Sequence, residues 1–472
     1  MKKNVLIIGA GISGEIIGRE VNNNLKYNLI GYLDDDPYKK EVLLNEKPIF
    51  GNTSFVQEVI VKNNIHLVII SIPSAEGKTI KEILKKLMST DVQVQIVPGY
   101  FNILEQDIKI DYPIRDIDVS DILGRRQTKL DITSISSYIS SKRILITGAG
   151  GSIGRELVKL VASVNPNYII LLGRGENSIF QTEKEVNHLY PTVKVIPSIV
   201  NICNYSSLED VFRKYEPQVV FHAAAHKHVN LMESHVKEAF RNNVLGSKNL
   251  MQLSHKYNVE KFVLISTDKA VQPSSVMGLT KRISELLMSY YAKLSKTIFC
   301  AVRFGNVLGS RGSVLPLFKE QIMRGGPVTI THKDVVRYFM TIPEASQLVI
   351  QAGALAQGRE IFILNMGEPV KIYELAKLLI HIYRPNIGKD IQINFIGLRP
   401  GEKLVEKLWT PSEEVKTSKH KDIFVVYPEL VGSDFLSLIE YCKNNLENLS
   451  EPNINKLLFE MIKSPSSEAI LI

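Results

Sequence analysis

Two stretches of this sequence share one construction: an apolar run of strand length breaks into glycines and continues as a helix. In the first, Val5-Leu6-Ile7-Ile8 leads into Gly9-Ala10-Gly11-Ile12-Ser13-Gly14 and a helix-like stretch to Val21. In the second, Arg143–Thr147 leads into Gly148-Ala149-Gly150-Gly151-Ser152-Ile153-Gly154, and a helix opens at Arg155. Glycines at such a junction permit a tight turn and close backbone approach, and the helix N-terminus favours a phosphate. The construction belongs to parallel sheets with crossover helices, so it restricts the chain to an α/β class.

After the first turn, residues 28–33, 68–71 and 92–97 read as further strands. Asp34-Asp35-Asp36 stands about 20 residues beyond the motif, where a ribose-binding acid would stand. Pro37, with Lys39 and Lys40, marks a turn there equally well. Residues 1–120 are therefore expected to form a Rossmann-like domain that binds a dinucleotide, another ligand or nothing. No acid–base set accompanies this fingerprint, so the catalytic nicotinamide is not expected here. Residues 121–140, with Gly124-Arg125-Arg126 and Leu130-Asp131, read as a connector.

The second turn opens a longer alternation, with apolar strands expected near residues 169–172, 193–196, 219–221, 262–265 and 298–302. The fold class follows: α/β, with two Rossmann-like, doubly wound parallel-sheet domains. Its G-x-x-G-x-x-G spacing is the version found in short-chain dehydrogenase-type folds. The strand tip that normally carries an acid for NAD reads Gly173-Arg174-Gly175-Glu176. A 2′-phosphate is not repelled there and Arg174 can pair with it, so NADP is favoured, while Glu176 keeps NAD open.

Residues 266–281, Ser-Thr-Asp-Lys-Ala-Val-Gln-Pro-Ser-Ser-Val-Met-Gly-Leu-Thr-Lys, follow the apolar run 262–265. Thr267, Asp268 and Lys269 thus fall at a strand end, where open α/β sheets place ligands. Residues 277–291 read as a helix with Lys281 one turn in. A capping turn with solvated lysines is the bland alternative. His222, His226 and His228 flank three alanines that let a cofactor lie against the backbone. They lack an acidic or cysteine partner at metal-ligand spacing, so no metal is expected and hydrogen bonding is their expected use.

Composition narrows the setting. Of 472 residues 44% are hydrophobic and 22% charged, the balance of a globular protein with room for two or three cores. Apolar runs are strand-length, far short of a membrane span. Met1-Lys2-Lys3 passes straight into a strand, as the start of a fold rather than a targeting segment would. Three cysteines (Cys203, Cys300, Cys442) argue for a reducing, cytoplasmic setting. The net charge of +8 suits anionic ligands or a nearby anionic surface, and no arginine-rich arm points to nucleic acid.

Together these stretches resemble a known family, the bacterial nucleotide-sugar 4,6-dehydratases of capsule, flagellin-glycan and bacillosamine pathways. That family lies within the extended short-chain dehydrogenase superfamily. The matching runs are residues 147–154, Ala223-Ala224-Ala225-His226-Lys227-His228-Val229, Ser266-Thr267-Asp268-Lys269-Ala270-Val271, residues 303–314 (Arg-Phe-Gly-Asn-Val-Leu-Gly-Ser-Arg-Gly-Ser-Val) and Leu398-Arg399-Pro400-Gly401-Glu402-Lys403-Leu404. They appear in the family's order over roughly residues 140–410. The resemblance implies that residues 141–472 are an extended short-chain dehydrogenase-type catalytic domain with a smaller C-terminal substrate lobe. Residues 1–120 resemble the nucleotide- or CoA-binding-type domain of the family's long members, which usually carry membrane helices ahead of it.

The implied reaction converts UDP-N-acetylglucosamine to a UDP-4-keto-6-deoxy sugar, with loss of water and internal hydride transfer, in surface-polysaccharide synthesis. By the resemblance Asp268 is the acid, Lys269 the base for carbon 5, Thr267 a partner of the 4-hydroxyl, and Lys281 a ribose-binding cation. Met277 replaces the superfamily's tyrosine, as in a subset of 4,6-dehydratases that resembles this chain, and thioether sulfur cannot act as the base. A tightly held cofactor is expected on Gly148, Gly151, Ser152, Ile153, Gly154, Arg174, Glu176, Asn201, Ile202, Ala223, Ala224 and Lys281. His226, Lys227, Asn306, Arg337, Arg399 and Glu402 are expected on the UDP-sugar, the arginines suiting its pyrophosphate. The long architecture leans toward retention at carbon 5, and a homo-oligomer, free or at the inner membrane face, is expected. A 4-epimerase and a non-catalytic nucleotide-sugar-binding regulatory protein remain as alternatives.

Overall fold

The computed structural model describes residues 2–40, 42–98, 114–123, 130–383 and 390–463. Gly124-Arg125-Arg126, expected in the connector, lies outside them. The chain forms two compact units: Met1–Gln127 with Gly312–Lys333 and Lys371–Ile396, and Thr128–Arg311 with Asp334–Val370 and Gly397–Ile472.

In the first unit β1 (Lys3–Ile8), α1 (Ile12–Asn23), β2 (Tyr27–Leu33), β3 (Leu67–Ile70) and β4 (Gln93–Ile96) build a sheet of order β2-β1-β3-β4. All of its pairings are parallel. Arg115–Asp116 adds a short antiparallel strand beside β4. The run in β1 is continuously apolar because both of its faces are covered. Leu6 and Ile8 pack with Leu33, Ile80 and Ile83, while Val5 and Ile7 pack with Ile17, Val21 and Leu29.

The second unit begins with α2 (Ile132–Ile139). Its main sheet comprises β5 (Arg143–Thr147), β6 (Tyr168–Gly173), β7 (Val195–Ile199), β8 (Val219–His222), β9 (Lys261–Ile265), β10 (Ile298–Arg303), β11 (Ile361–Leu364), β12 (Lys416–Thr417) and β13 (Ile423–Val426). The order is β7-β6-β5-β8-β9-β10-β11-β13-β12. β7 through β11 run parallel, and β13 and β12 join antiparallel. Strand order reverses between β5 and β8, so a crevice opens beyond Thr147 and His222, the position where such sheets bind ligands. The helices that matter to the site are α3 (Ser152–Ala162), α4 (Gly246–Lys256) and α5 (Val276–Leu294).

Two boundaries differ from the sequence expectation. Within the expected connector 121–140, α2 is part of the second core: Ile135, Tyr138 and Ile139 are buried with Ile144 and Ile146, and Tyr138 Oη donates to the Ile350 carbonyl at 2.6 Å. Its serine- and threonine-rich composition masks an i, i+3, i+4 apolar stripe. Residues 312–333 and 371–396, expected within the domain 141–472, group with the first unit. There the helix Ile372–Tyr383 adds Leu378 to the cluster around Leu6 and Ile8. Helical periodicity shows that such a face is buried but does not name the sheet that buries it. Among the described residues no helix is long and apolar enough to cross a membrane.

Candidate active site

At the β5–α3 junction Gly148 adopts φ +64°, and a Cβ there would stand 2.8 Å from Ala224 N. A Cβ on Gly154 would stand 2.1 Å from the Gly148 carbonyl oxygen, so α3 starts hard against the turn. The turn borders a groove of about 310 Å³ lined by Gly148, Gly151, Arg174, Asn201, Ile202, Ala223, Ala224 and His226, among others. Eight residues expected on the cofactor or substrate thus share one cavity beside a helix N-terminus. Ser152, Ile153, Gly154, Glu176 and Lys281 are not in its lining. Ser152 Oγ accepts from Arg311 N at 3.3 Å, Ile153 packs on the core, and Glu176 is an exposed first residue of the helix Glu176–Leu189. The bare turn, the helix N-terminus and the three small alanines fit a dinucleotide, its pyrophosphate against the glycines.

Beyond β9 the chain turns tightly at Asp268–Ala270. Lys269 Nζ donates to Asp268 Oδ1 at 2.9 Å and to Asn306 Oδ1 at 3.0 Å, and Thr267 Oγ1 donates to the same Asp268 oxygen at 2.9 Å. Asp268 is fully buried, and its Oδ2 has no hydrogen-bond partner among the described residues. A Cβ on Gly305 would stand 3.2 Å from that oxygen, so glycine leaves room beside it. α5 is capped by Ser275, whose side chain accepts from Gly278 N, and a Cβ on Gly278 would stand 2.3 Å from the Lys269 carbonyl. Met277 is 3% exposed and belongs to the apolar cluster of Val276, Leu279 and Ile283. Burial pushes the Lys281 ammonium down to about 8, against the opposing charge of Glu285 one turn on.

Two further groups carry this geometry: His222, whose expected use is hydrogen bonding, and Asn243, which the sequence reading did not single out. His222 Nδ1 bonds Thr147 Oγ1 at 2.8 Å and its Nε2 bonds Ser247 Oγ at 2.9 Å. Burial, aided by Lys281, holds that imidazole well below its usual pKa, so it is neutral and structural. Asn243, in a π-helical turn at Phe240–Leu245, bonds both the N–H and the carbonyl of His226, as well as Thr280 Oγ1. Such turns often mark functional segments. Its partners lie 17 and 37 residues away, a distance local pattern does not encode.

The residues expected on the sugar nucleotide fall into separate groups. Asn306 joins Lys269, and Lys227 Nζ donates to Ser310 Oγ at 3.3 Å. His226 Nε2 lies 3.1 Å from Glu238, which also has Arg174 Nη1 at 3.8 Å. Arg337 and Glu402, expected separately against a nucleotide, bond each other at 3.0 Å. Arg337 also donates to the Val336 and Leu404 carbonyls and is buried, whereas Arg399 is exposed in a loop between Gly397 and Gly401. That loop is tied down: Ser274 Oγ donates to the Gly401 carbonyl, and Lys403 Nζ to that of Val271.

In the first unit the three aspartates are committed to hydrogen bonds within that unit. Asp34 accepts from Ala10 N at 2.7 Å and Lys39 Nζ at 2.9 Å, Asp35 from Thr53 N at 2.7 Å, and Asp36 from Tyr38 N at 3.0 Å. The turn reading accounts for Asp36 and for the Asp34–Lys39 contact, whereas Ala10 N and Thr53 N lie 24 and 18 residues from their aspartates. Among the described residues no group of three or more His, Cys, Asp or Glu could hold a metal.

A family described as "Polysaccharide biosynthesis protein" matches residues 144–428, and one described as "CoA-binding domain" matches residues 1–98. The chain is 46% identical to the capsular polysaccharide biosynthesis protein CapD of Staphylococcus aureus, over 87% of this chain and 69% of that protein. It is 45% identical to the probable polysaccharide biosynthesis protein EpsC of Bacillus subtilis, over 97% of this chain and 76% of that protein. Among solved structures, Pen from Bacillus thuringiensis is 33% identical and superposes with a TM-score of 0.58, over 62% of this chain and 91% of that one. With its second unit matched over most of its length and both relatives aligned across both units, the chain belongs to the polysaccharide biosynthesis protein family.

Proposed function

We propose that this chain modifies a nucleotide sugar for surface-polysaccharide synthesis, and specifically that it dehydrates UDP-N-acetylglucosamine to a UDP-4-keto-6-deoxy sugar. One observation carries the reading: an aspartate and a lysine, 2.9 Å apart, stand at the strand end while an apolar methionine occupies the tyrosine's position. Two adjacent proton carriers suit an elimination, which needs an acid and a base within one site.

A bound nicotinamide dinucleotide would supply a hydride acceptor and donor, held by Gly148, Gly151, Asn201, Ile202, Ala223 and Ala224 in the groove. The remaining chemistry falls to side chains. Thr267 hydrogen-bonds the sugar 4-hydroxyl, and Lys281 provides positive charge beside the cofactor ribose. Lys269 takes the proton from carbon 5, and Asp268 gives one to the hydroxyl leaving carbon 6, so that water departs. Lys269 returns its proton to carbon 5 as the hydride comes back to carbon 6, and the proton released from the 4-hydroxyl passes through Thr267, whose Oγ1 donates to Asp268 Oδ1 at 2.9 Å, to restore the acid. Asn306 fixes the Lys269 amine from its other side. Arg399, whose loop is fastened to the segment before α5, faces solvent and suits the pyrophosphate.

The test is incubation of purified protein with UDP-N-acetylglucosamine, with mass and NMR analysis of the product. Loss of 18 mass units supports dehydration, an isomer of equal mass indicates 4-epimerisation, and no turnover indicates a binding protein. The NMR spectrum also reports the configuration at carbon 5, expected to be retained. Arg174 at the rim favours NADP; release of NAD alone, with no NADP binding in titration, would overturn that preference.

A further inference from the structure

Behind the acid–base pair lies a buried, charge-balanced network that the proposed chemistry does not use. Glu285, on α5, is fully buried. Its Oε1 accepts from Ser266 Oγ at 2.6 Å and Arg303 Nε at 2.8 Å; its Oε2 accepts from Arg303 Nη2 at 2.8 Å and Arg282 Nη1 at 3.2 Å. Arg303 is likewise fully buried and reaches Glu413 on its other side, Nη1 to Oε2 at 3.1 Å and Nη2 to Oε1 at 2.9 Å. Two guanidinium groups and two carboxylates therefore balance, the central Glu285–Arg303 pair fully buried and Arg282 and Glu413 partly exposed at its edge.

Ser266, Arg303 and Glu285 each adjoin residues of the site. Ser266 precedes Thr267-Asp268-Lys269. Arg303 ends β10, and the next residues are Phe304, whose carbonyl accepts from Asp268 N at 3.1 Å, Gly305, beside Asp268 Oδ2, and Asn306, the second partner of Lys269. Glu285 lies one helical turn after Lys281. Taking these charges out of water is costly, and well-packed apolar residues would often serve stability as well. What the apolar alternative lacks is direction: the guanidinium fork accepts carboxylates in one plane only.

We infer that Arg303 is a positioning residue, clamped by Glu285 and Glu413, which fixes the ends of β9 and β10 and α5 so that Asp268, Lys269 and Asn306 keep their mutual geometry. It touches neither substrate nor cofactor in this account and acts through the backbones it ties together. The inference rests on the reading of Asp268 and Lys269 as the acid–base pair.

The test compares wild type with Arg303→Lys, which keeps the charge and loses the fork, with Ser266→Ala, which removes one hydroxyl, and with the double variant Glu285→Met/Arg303→Met. The double variant leaves Arg282 and Glu413 to balance each other 3.9 Å apart and replaces the central pair with apolar bulk, so it can fold without the clamp. For each, melting temperature, Kd for UDP and for the cofactor, KM and kcat on UDP-N-acetylglucosamine are measured. Positioning predicts that kcat falls roughly ten- to a hundredfold in Arg303→Lys and in the double variant, with KM and both Kd values within about threefold. It also predicts that restoring the melting temperature in the double variant does not restore kcat. A merely structural role predicts that kcat follows the melting temperature, and that result, or near-normal kcat in any folded clamp variant, overturns the inference. Should wild type fail to turn over this substrate, the functional reading has failed. Crystal structures of the same variants then decide the clamp: Lys269 contacts to Asp268 and Asn306 kept at 2.9 and 3.0 Å overturn it, and their loss supports it.

Discussion

In the proposed reading Asp268 and Lys269 carry the proton transfers and Met277 does not, and mutation is expected to separate them. General acid–base groups contribute about 100- to 10,000-fold in rate, so Asp268→Asn or Lys269→Ala is expected to lower dehydration by at least about two orders of magnitude. Met277 lies among apolar side chains, and Met277→Leu conserves that bulk, so turnover should stay within about tenfold of wild type. Steady-state rates, with cofactor binding verified in each variant, check both outcomes. Lys281 makes a further prediction through pH. Its folded-state pKa of about 8 lies below the usual 10.5, so between those values the unfolded chain binds the extra proton and stability rises with pH. The rise from this group alone is about 3 kcal/mol. Lys281→Met removes it, so the unfolding free energy of the variant minus that of wild type should fall steadily from pH 8 to 10.5 and level off outside that window. A pH-independent difference would contradict the assignment.

Among the elements, the β5–α3 turn holds one glycine required by packing, Gly154, and one that borders the groove and is proposed to serve a ligand, Gly151. Gly154→Ala puts a methyl group about 2 Å from the Gly148 oxygen and forces the helix off the strand, an overpacking cost of about 1–3 kcal/mol. Gly151 borders the groove, has an ordinary extended backbone, and meets only the Gly148 oxygen at 3.1 Å. Gly151→Ala is therefore expected to leave the melting temperature nearly unchanged while weakening dinucleotide binding, and Gly154→Ala to lower the melting temperature outright. Calorimetry and cofactor titration of the two proteins give the comparison. At the other end of the site Ser275 caps α5, and Ser275→Ala should cost about 1 kcal/mol by freeing the Gly278 N–H.

For the whole molecule, the two glycine turns divide the work. In the first unit Asp34 already bonds Ala10 N and Lys39, and a Cβ on Gly14 would stand 1.9 Å from the Gly9 oxygen, so Gly14 meets the same packing demand as Gly154 in the second turn. The second turn borders the groove and shares its sheet with Asp268 and Lys269. One nicotinamide dinucleotide per chain is the expected content, released by denaturation and counted by mass. Asp34→Asn should leave that count unchanged and Gly151→Ala should lower it; a nicotinamide cofactor held solely by the first unit would refute this division.

Much of this molecule is written locally. Runs such as Val5–Ile8 and 262–265, apolar on both faces, already specify buried parallel strands, and the glycine spacing specifies where each sheet meets its first helix. The placement of Asp268 and Lys269 just past a strand and of Lys281 in the helix that follows was legible because all three lie within sixteen residues. The sequence could not show that Arg337 would bond Glu402, that α2 would leave the expected connector for the second core, or that residues 312–333 and 371–396 would group with the first unit. Nor could it pair Arg303 with Glu285 and Glu413, which meet from a strand end, a helix and a distant loop. Backbone preference and periodicity act over a few residues and fix which faces are apolar. Which faces and charges meet is decided only when the packed sheet removes them from water, and there a buried charge has to find its opposite wherever the chain has brought one.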